Sequence, residues 1–350
     1  MSADNAVLAG QAHLECSDCR VAVVPSLGLG DSLIYVLIAS NLARAGFRVT
    51  MVSNHLAHLA GWLPQLEIIP FPDSGAAQSL HEFYDVVISD CGGIIANLPQ
   101  TPEWLARHFV FVGTLRVDPA YVANHVERIT ASSGLQKARV LQKIASCAGR
   151  LRVLDDDSVT MVEQAVAFCR TKLGLPEASA QIGFSVPAQL SPRRHSNRVV
   201  LHATSYNKKK NWSHNKYLSL ARRLKSLGYE PEFVLSPKER AQWAPLFEEE
   251  FPVPFLADAE ELAAYLYESG YVIGNDSGIG HLASAMGVPV LTIYRKTRDG
   301  FCWRPGWGDN LVVRPGFSIG AAKRFWSWFL SVRRVERAFL ALVSRTGVNK

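Results

Sequence analysis

Residues 271–290, YVIGNDSGIGHLASAMGVPV, constrain the fold of this chain more than any other segment. An apolar run ends at Gly274, and Gly278 and Gly280 then open an alanine-rich segment that closes at Gly287 before a second apolar run. This order predicts a strand, a tight turn, a helix and another strand.

The turn in this segment is typical of an anion-binding site. Asp276 or Ser277 is a natural N-cap, and the glycines leave the first N–H groups of the helix uncovered. A phosphate can then approach the positive end of the helix dipole. His281 lies in the same first turn, where it either donates a hydrogen bond to that anion or packs as a buried, satisfied histidine. The segment therefore predicts a diphosphate site.

The composition predicts two globular domains. The chain has 350 residues, of which 48% are hydrophobic, so it can form two cores of about 150 to 200 residues each. The formal net charge of +6 favours phosphorylated or otherwise anionic substrates. The basic residues are dispersed and no known nucleic-acid motif is present, so we do not expect nucleic acid as a partner.

The N-terminal residues predict a cytoplasmic protein. Residues 1–20 lack the basic start and apolar core of a secretory signal, and no apolar run reaches the roughly 18 residues of a membrane span. Six scattered cysteines suit a reducing compartment. His13, Cys16 and Cys19 fall short of the four ligands of a structural zinc site. We therefore expect residues 1–19 to form a flexible tail with free thiols and no bound metal.

The first half of the chain predicts a Rossmann-like parallel sheet, because apolar runs alternate with helical segments. The first run is followed by the turn SLGLGDS and a predicted helix over residues 33–45. The third glycine and the acidic residue of a dinucleotide fingerprint are missing, so that fingerprint is not matched. The predicted strands cover residues 20–25, 47–52, 66–70, 85–89 and 109–113.

Two aspartates follow predicted strands in this half. Asp31 points into the crevice where open α/β sheets bind ligands, or else it caps the helix that begins at Ser32. Asp90 lines the same cleft on the acceptor side, or it forms a tight turn with the glycines that follow. The basic residues between 116 and 150 contact an anionic acceptor or form a solvated helix face; the sequence does not separate these alternatives.

The second half begins after a junction. Residues 155–158 are predicted to cap a helix that runs to about 173, and residues 176–196, rich in Pro, Ser and Ala, read as a linker. The strand 198–203 leads into TSYNKKKNW. There the hydroxyls of Thr204 and Ser205 and the lysines can hold a leaving diphosphate through charge-assisted hydrogen bonds, or the lysine loop is simply solvated.

Together these segments resemble glycosyltransferase family 9, the heptosyltransferase-like enzymes. The family's donor motif is D-[TS]-G-x-x-H-x-A-x-A-x-G-x-P. Gly30-Asp31 matches the G-D pair that carries the proposed general base, and Lys210, two residues before Trp212, matches the lysine of the family's loop. The donor motif is filled by Asp276, Ser277, Gly278, His281, Ala283, Ala285, Gly287 and Pro289.

The resemblance implies a GT-B architecture, in which two Rossmann-like domains face a cleft. It implies an inverting, metal-independent glycosyltransferase that uses a nucleotide sugar, ADP-heptose, to extend lipopolysaccharide core or a similar surface glycan, with no cofactor. Asp31 would be the general base, Gly30 and Asp90 would lie on the acceptor side, and Asp276 would bind a sugar hydroxyl or cap the helix. The donor diphosphate would be held by Thr204, Ser205, Lys210, Ser277, Gly278 and His281.

Two further positions depend on the same resemblance. An acidic residue near the start of the helix after residues 231–236 binds the nucleotide ribose in related enzymes. Glu239 is the candidate here, with complementarity to the helix dipole as the alternative. The family's Gly-Pro-Thr turn is replaced by Arg295-Lys296, and the aromatic residues 301–307 follow. We therefore expect a different backbone there.

The predicted domains are a tail (1–19), an acceptor domain (20–175), a linker (176–196), a nucleotide-sugar domain (197–320) and a C-terminal helix (321–350). The basic, aromatic C-terminal helix packs back on the first domain or lies on an anionic membrane, a peripheral contact with the cytoplasmic face of the inner membrane.

Two other functions stay open at this stage. A transferase of the same fold with another donor, or with a protein acceptor, would share all three motifs. A non-catalytic nucleotide-binding or assembly protein would retain the second-domain site without needing Asp31.

Overall fold

The computed structural model describes residues 18–114, 117–122, 135–297, 301–316 and 326–346. These residues form two parallel β-sheets flanked by helices, which confirms the α/β class and the two-sheet arrangement. The strands are short, mostly buried apolar runs, as expected for parallel sheets that are covered on both faces.

The first sheet has the order β3-β2-β1-β4-β5-β6, with every neighbouring pair parallel. The order changes direction between β1 and β4, so the carboxyl ends of these two strands form a topological switch point, where α/β sheets bind ligands. Its strands are Arg20–Val24 (β1), Arg48–Val52 (β2), Glu67–Ile69 (β3), Val86–Asp90 (β4), Val110–Gly113 (β5) and Gly149–Arg150 (β6).

Side-chain N-caps set the first residue of several helices in the first lobe. Asp73 caps α3 and Thr101 caps α4. Thr160 and Glu163 form a capping box, so α6 begins at Met161, and residues 155–158 do not cap it as predicted. The helices are Leu29–Arg44 (α1), Asn54–Ala57 (α2), Ser74–Phe83 (α3), Pro102–His108 (α4), Leu135–Ala145 (α5) and Met161–Thr171 (α6).

The second sheet has the order β11-β10-β9-β7-β8 and is also parallel. Its direction changes between β7 and β9, which places a second switch point at their carboxyl ends. The strands are His195–His202 (β7), Glu230–Phe233 (β8), Ser269–Asn275 (β9), Val290–Ile293 (β10) and Asn310–Val313 (β11). The helices are His214–Ser226 (α7), Pro237–Trp243 (α8), Ala259–Tyr267 (α9), Gly278–Ala285 (α10) and Val332–Arg345 (α11).

The two lobes share one hydrophobic cluster, which extends from α1 through α6 and residues 173–182 to α10 and the inner face of the second sheet. The aromatic residues 301–307 take part in this contact. The Met161 amide donates to Cys302 O (2.8 Å), and Trp307 Nε1 donates to Ala180 O (2.8 Å). Residues 301–307, which follow the turn where the sequence departs from the motif of the resembled family, therefore join the second lobe to the first.

The predicted linker is hydrogen-bonded to the first lobe over part of its length. Asn41 bonds to both the amide and the carbonyl of Ser179, Arg44 Nη1 donates to Gln181 O, and the Ser185 amide donates to Trp62 O. These bonds fix the path of the chain between the sheets. The domain boundaries themselves remain predictions.

The C-terminal helix packs on the second lobe. Its buried residues Val335, Phe339 and Leu342 join the cluster on the outer face of the second sheet, where Phe339 packs edge-to-face on Tyr229 and Tyr271. This corrects the alternative in which the helix packs back on the first domain. The helix also begins only at Val332, with Ser331 as its N-cap. Residues 321–325 of the predicted helix lie outside the described ranges.

The described part of the predicted tail differs from expectation in one residue. Cys19 is fully buried next to β1 and is disulfide-bonded, so it is not a free thiol in a flexible tail. Cys91, Cys147, Cys169 and Cys302 are free thiols. Among the helices of the described residues, none combines the length and the apolar character that a bilayer crossing requires.

The packing of α11 generates a stability prediction. Replacing Phe339, which is fully buried, with alanine should lower the free energy of unfolding by about 3–5 kcal/mol, because the cavity lies between two tyrosine rings. Leu340→Ala is the matched control, since Leu340 is 38% exposed and should cost less than about 1 kcal/mol. Urea unfolding followed by tryptophan fluorescence measures both. Equal losses would contradict this packing of the helix.

Candidate active site

Asp31 lies in the first turn of α1, at the switch point of the first sheet. The helix begins at Leu29, earlier than predicted, and Gly28 is its N-cap with no side-chain capping bond. Capping therefore does not explain Asp31. Burial raises the pKa of the Asp31 carboxyl from 3.8 to about 6, and repulsion by Asp90 adds to the increase. The Ser26 hydroxyl lowers this pKa, although Ser26 Oγ makes no hydrogen bond of standard geometry.

Lys210 approaches Asp31 from the second lobe. It ends the short 3₁₀ turn Lys208–Lys210, in which Lys208 and Lys209 are exposed while Lys210 is partly buried. Lys210 Nζ lies 2.7 Å from Asp276 Oδ2, and both residues are close enough to Asp31 to affect its pKa, Lys210 lowering it and Asp276 raising it. The structure thus brings the predicted base and the predicted cation together across the gap between the lobes.

The first turns of α1 and α10 touch each other at two glycines. A Cβ added to Gly278 would lie 2.8 Å from Leu29 Cβ and 2.9 Å from the Gly30 amide nitrogen. A Cβ added to Gly30 would lie 3.1 Å from His281 Cδ2. From the sequence, the expected role of the glycines was to leave the first N–H groups of α10 accessible to an anion. In the structure, Gly278 also has a packing role, because it lets the two helices approach.

His281 is buried at this contact, which agrees with the packing interpretation, but it is not satisfied. Its Nδ1 has no hydrogen-bond partner among the described residues. Burial lowers the pKa of His281 to about 4, and the opposing influence of Asp276 is smaller, so the ring is neutral at pH 7. A neutral imidazole with an unused nitrogen can donate or accept one hydrogen bond from a ligand.

His202 is a site residue that sequence reasoning used only as part of a motif. It ends β7 and is fully buried, with Nδ1 3.1 Å from Ser277 Oγ and Nε2 3.1 Å from Thr204 Oγ1. Burial lowers its pKa to about 4 and keeps the ring neutral. His202 therefore orients the Ser277 hydroxyl at the start of α10. The signal in the sequence was the spacing H-x-T at the end of a strand.

Glu239 extends this network. Its carboxylate accepts hydrogen bonds from the Ser236 amide (3.1 Å) and hydroxyl (2.6 Å), which form a capping box at the start of α8. Burial raises the pKa of Glu239, but the bonds from Ser236 and the influence of His202 and Thr204 outweigh it, so the pKa lies below its ordinary value. Thr204 connects Glu239 to His202. Glu239 is therefore both an ionised helix-start residue and a neighbour of the predicted donor site.

Ser205, predicted to bind the donor, is hydrogen-bonded within its own loop. Its hydroxyl lies 2.9 Å from Asn207 O and 2.6 Å from Asn211 Oδ1, within the lysine loop itself. The hydroxyl therefore stabilises the loop. The Trp212 amide donates to Asn275 Oδ1 (2.9 Å), which holds the loop against β9. Asn275 Nδ2 is buried without a partner in the described part of the chain.

Asp90 is the last residue of β4 and is almost completely buried. One carboxylate oxygen accepts from the Gly92 amide and the other from the Tyr35 hydroxyl, both at 2.7 Å. Burial raises its pKa above the ordinary value, although these two bonds oppose the increase. The tight turn suggested by the sequence is present. The carboxylate is also close to Asp31, but it is 7% exposed and so offers little surface to an acceptor.

Within the described ranges, no group of three or more His, Cys, Asp or Glu side chains is placed to hold a metal ion.

Comparison with known proteins identifies the family. The profile described as glycosyltransferase family 9 (heptosyltransferase) matches residues 119–324, more than half of the chain. A comparison with curated protein sequences finds no match.

Three solved structures illustrate the structural similarity. Escherichia coli heptosyltransferase WaaC with ADP superposes with a TM-score of 0.63 at 18% identity, covering 92% of this chain and 99% of that one. E. coli ADP-heptose lps heptosyltransferase II gives 0.60 at 17% identity, with 94% and 99% covered. The iron-containing dodecameric glycosyltransferase TibC from enterotoxigenic E. coli H10407 gives 0.55 at 13%, with 94% and 77% covered. At these identities the likeness shows the fold, which is the expected GT-B architecture.

The raised pKa of Asp31 predicts how stability depends on pH. Its folded pKa of about 6 lies above the ordinary 3.8, so the ionised carboxylate destabilises the folded state above pH 6. Asp31→Asn should therefore raise the free energy of unfolding by about 1–3 kcal/mol at pH 8. The gain should shrink as the pH falls through 6 towards 4, because the folded carboxyl is protonated first.

Urea unfolding at pH 8 and pH 4.5 measures this difference. Asp309→Asn, which alters an exposed carboxylate, is the control and should show little effect at either pH. A gain for Asp31→Asn that does not change with pH would contradict the assigned protonation behaviour.

Proposed function

The chain belongs to glycosyltransferase family 9, and we propose that it is an inverting enzyme that transfers heptose from ADP-heptose to lipopolysaccharide core or another surface glycan. The observation that supports this most is the meeting of Asp31 with Lys210 and the start of α10 across the gap between the lobes. The heptosyltransferases with known structures include one solved with ADP and one described as acting with ADP-heptose.

The proposed reaction is a single displacement. The acceptor hydroxyl attacks the anomeric carbon while its proton passes to the Asp31 carboxylate. The bond between the anomeric carbon and the diphosphate oxygen breaks at the same time, and the nucleoside diphosphate leaves with the electron pair. Attack from the opposite side inverts the anomeric configuration. A positioned base of this kind contributes about 10² to 10⁴ in rate.

The leaving diphosphate is proposed to bind at the start of α10. Lys210 supplies positive charge, and the amides of residues 277–280 with the Ser277 hydroxyl supply hydrogen bonds. Neutral His281, whose Nδ1 has no partner among the residues that the structure describes, can complete this set. Asp276 is anionic and would be repelled by phosphate; its ion pair with Lys210 suggests that it positions the lysine and faces a sugar hydroxyl.

The remaining donor and location assignments follow the same logic. Glu239 can accept hydrogen bonds from the ribose hydroxyls, since it is ionised and linked through Thr204 and His202 to Ser277. No cofactor is proposed beyond the nucleotide sugar. We propose that the enzyme is cytoplasmic and contacts the inner membrane peripherally. The exposed side chains that support the membrane contact are Trp328, Arg333, Arg334 and Arg337.

A donor panel tests this proposal. Isothermal titration with ADP, UDP and GDP should show preference for ADP, and ADP-heptose should release ADP when a lipopolysaccharide-core acceptor is supplied. Lys210→Met should weaken ADP binding about 10- to 100-fold, because one charge-assisted contact is lost. Lys208→Met removes an exposed lysine of the same turn and should change binding less than about twofold.

The outcomes of that panel separate the other functions. Preference for UDP or GDP would replace the donor while keeping the reaction class. Tight nucleotide binding without transfer to any acceptor would favour a non-catalytic protein. Thermal unfolding of Lys210→Met with and without ADP shows whether the variant is folded.

The base role of Asp31 gives a separate kinetic prediction. Asp31→Asn should bind ADP normally but transfer sugar about 10² to 10⁴ times more slowly. In the parent enzyme, kcat/KM should fall about tenfold for each pH unit below about 6, because the protonated carboxyl cannot accept a proton. Transfer by Asp31→Asn at the parent rate would remove Asp31 as the base.

A further inference from the structure

Asp31 and Asp90 both lie at the carboxyl-terminal edge of the first sheet, beside the neighbouring strands β1 and β4. β1 and β4 are paired in parallel through Val24 and Ser89, so the chain turns away from the sheet at the same level in both strands. The two turns are close: a Cβ added to Gly93 would lie 3.1 Å from Pro25 O. Asp31 follows the β1 turn, in the first turn of α1, and Asp90 ends β4; the two carboxylates are close enough for the charge of Asp90 to raise the pKa of Asp31.

Asp90 is held in place by two short hydrogen bonds. The Gly92 amide and the Tyr35 hydroxyl each approach a different carboxylate oxygen at 2.7 Å. Tyr35 is fully buried and follows Asp31 by four residues, so both side chains lie on the same face of α1. Hydrogen bonds to a carboxylate favour its ionised form. Burial still raises the pKa of Asp90 above its ordinary value, so these bonds offset only part of that increase. When ionised, Asp90 holds its negative charge at a fixed position near Asp31.

This charge has no cationic partner in the described part of the chain. Lys210, the cation that faces Asp31, is already paired with Asp276 at 2.7 Å. The Ser26 hydroxyl, from the turn after β1, also faces Asp31 and lowers its pKa, whereas Asp276 raises it. The neutral ring of His281, from α10, lies beside Gly30, the neighbour of Asp31 in the chain. The net effect of the surroundings on a negative charge at Asp31 is therefore repulsive.

We propose that Asp90, held by Tyr35, is a positioning residue that makes Asp31 a stronger base by repelling its negative charge. The inference rests on the proposed function of Asp31 as the proton acceptor. Ordinary carboxylates are weak bases towards a sugar hydroxyl, and proton transfer is most efficient when the pKa of the base is near the working pH. Asp90 does not itself receive the proton or touch the acceptor.

The test measures Asp31 directly and needs no substrate. The protein is labelled with ¹³C-aspartate, and the carboxyl signal of Asp31 is identified by its loss in Asp31→Asn. In Asp90→Asn, the midpoint of the Asp31 titration should fall from about 6 by about one pH unit. Tyr35 can still donate to Val112 O, which lies 2.5 Å from its hydroxyl, so the variant retains a partner for the tyrosine.

Asp85→Asn is the matched control. Asp85 precedes the same strand, about 16 Å from Asp90 at the rise of an extended chain, and pairs with Lys137. Its replacement should leave the Asp31 midpoint unchanged. A folded Asp90→Asn protein with an unchanged Asp31 midpoint would overturn the proposal and leave Asp90 a purely structural residue.

Two further measurements keep the test decisive. If Asp90→Asn does not fold, the Asp31 signal of the parent protein should show a second inflection where Asp90 titrates, and a single-step curve overturns the proposal. When Asp90→Asn does fold, the acid limb of kcat/KM should move to lower pH together with the Asp31 midpoint. If the titration midpoint of Asp31 moves but the acid limb of kcat/KM does not, Asp31 is not the base. The electrostatic coupling between Asp31 and Asp90 would still stand in that case.

Discussion

The close approach of the first turns of α1 and α10 is the constraint on which the candidate site depends. Leu29 and Gly30 contact Gly278 at distances that leave no space for a side chain on Gly278 and little on Gly30. Because each turn follows a strand at a switch point, this contact brings the carboxyl ends of both sheets to the same gap. Asp31, Lys210 and Asp276 meet there as a result. A site divided between two lobes can bind and release two substrates while its chemical groups stay fixed within each lobe.

Burial then sets the protonation states that the chemistry requires. Burial destabilises the ionised form of Asp31 and the protonated forms of His202 and His281, because a charge is costly where water is excluded. Both histidines are therefore neutral. The ion pair between Lys210 and Asp276 holds a cation in the gap, and the carboxylate of Asp276 balances its charge. The site therefore combines a carboxylate of raised basicity with neutral hydrogen-bonding rings. Such donors and such a carboxylate are what the proposed transfer reaction needs.

Local patterns in the sequence predicted the elements well and their ends less well. The strands of both sheets lie within a few residues of the expected apolar runs, because a buried parallel strand requires a continuous apolar run. The start of α1 was misplaced by four residues, since Gly28 serves as N-cap without a side-chain signal. The start of α6 was misplaced because three acidic residues resemble a cap, whereas the reciprocal bonds of Thr160 and Glu163 form the real one. The packing of α11 depends on distant tyrosines that no local pattern specifies.

The sequence by itself determined the fold class, the order of the elements and the family, because apolar periodicity and the motif around Asp276 are local properties of the chain. It also identified Asp31, Lys210 and His281 as candidates. Tertiary structure decided which of them meet, that Ser205 stabilises its own loop, and that His202 links Ser277 to Thr204. It also decided that Tyr35 holds Asp90 near Asp31. Burial and distance between residues far apart in the chain control charge and hydrogen bonding, and these quantities exist only once both sheets have formed and packed together.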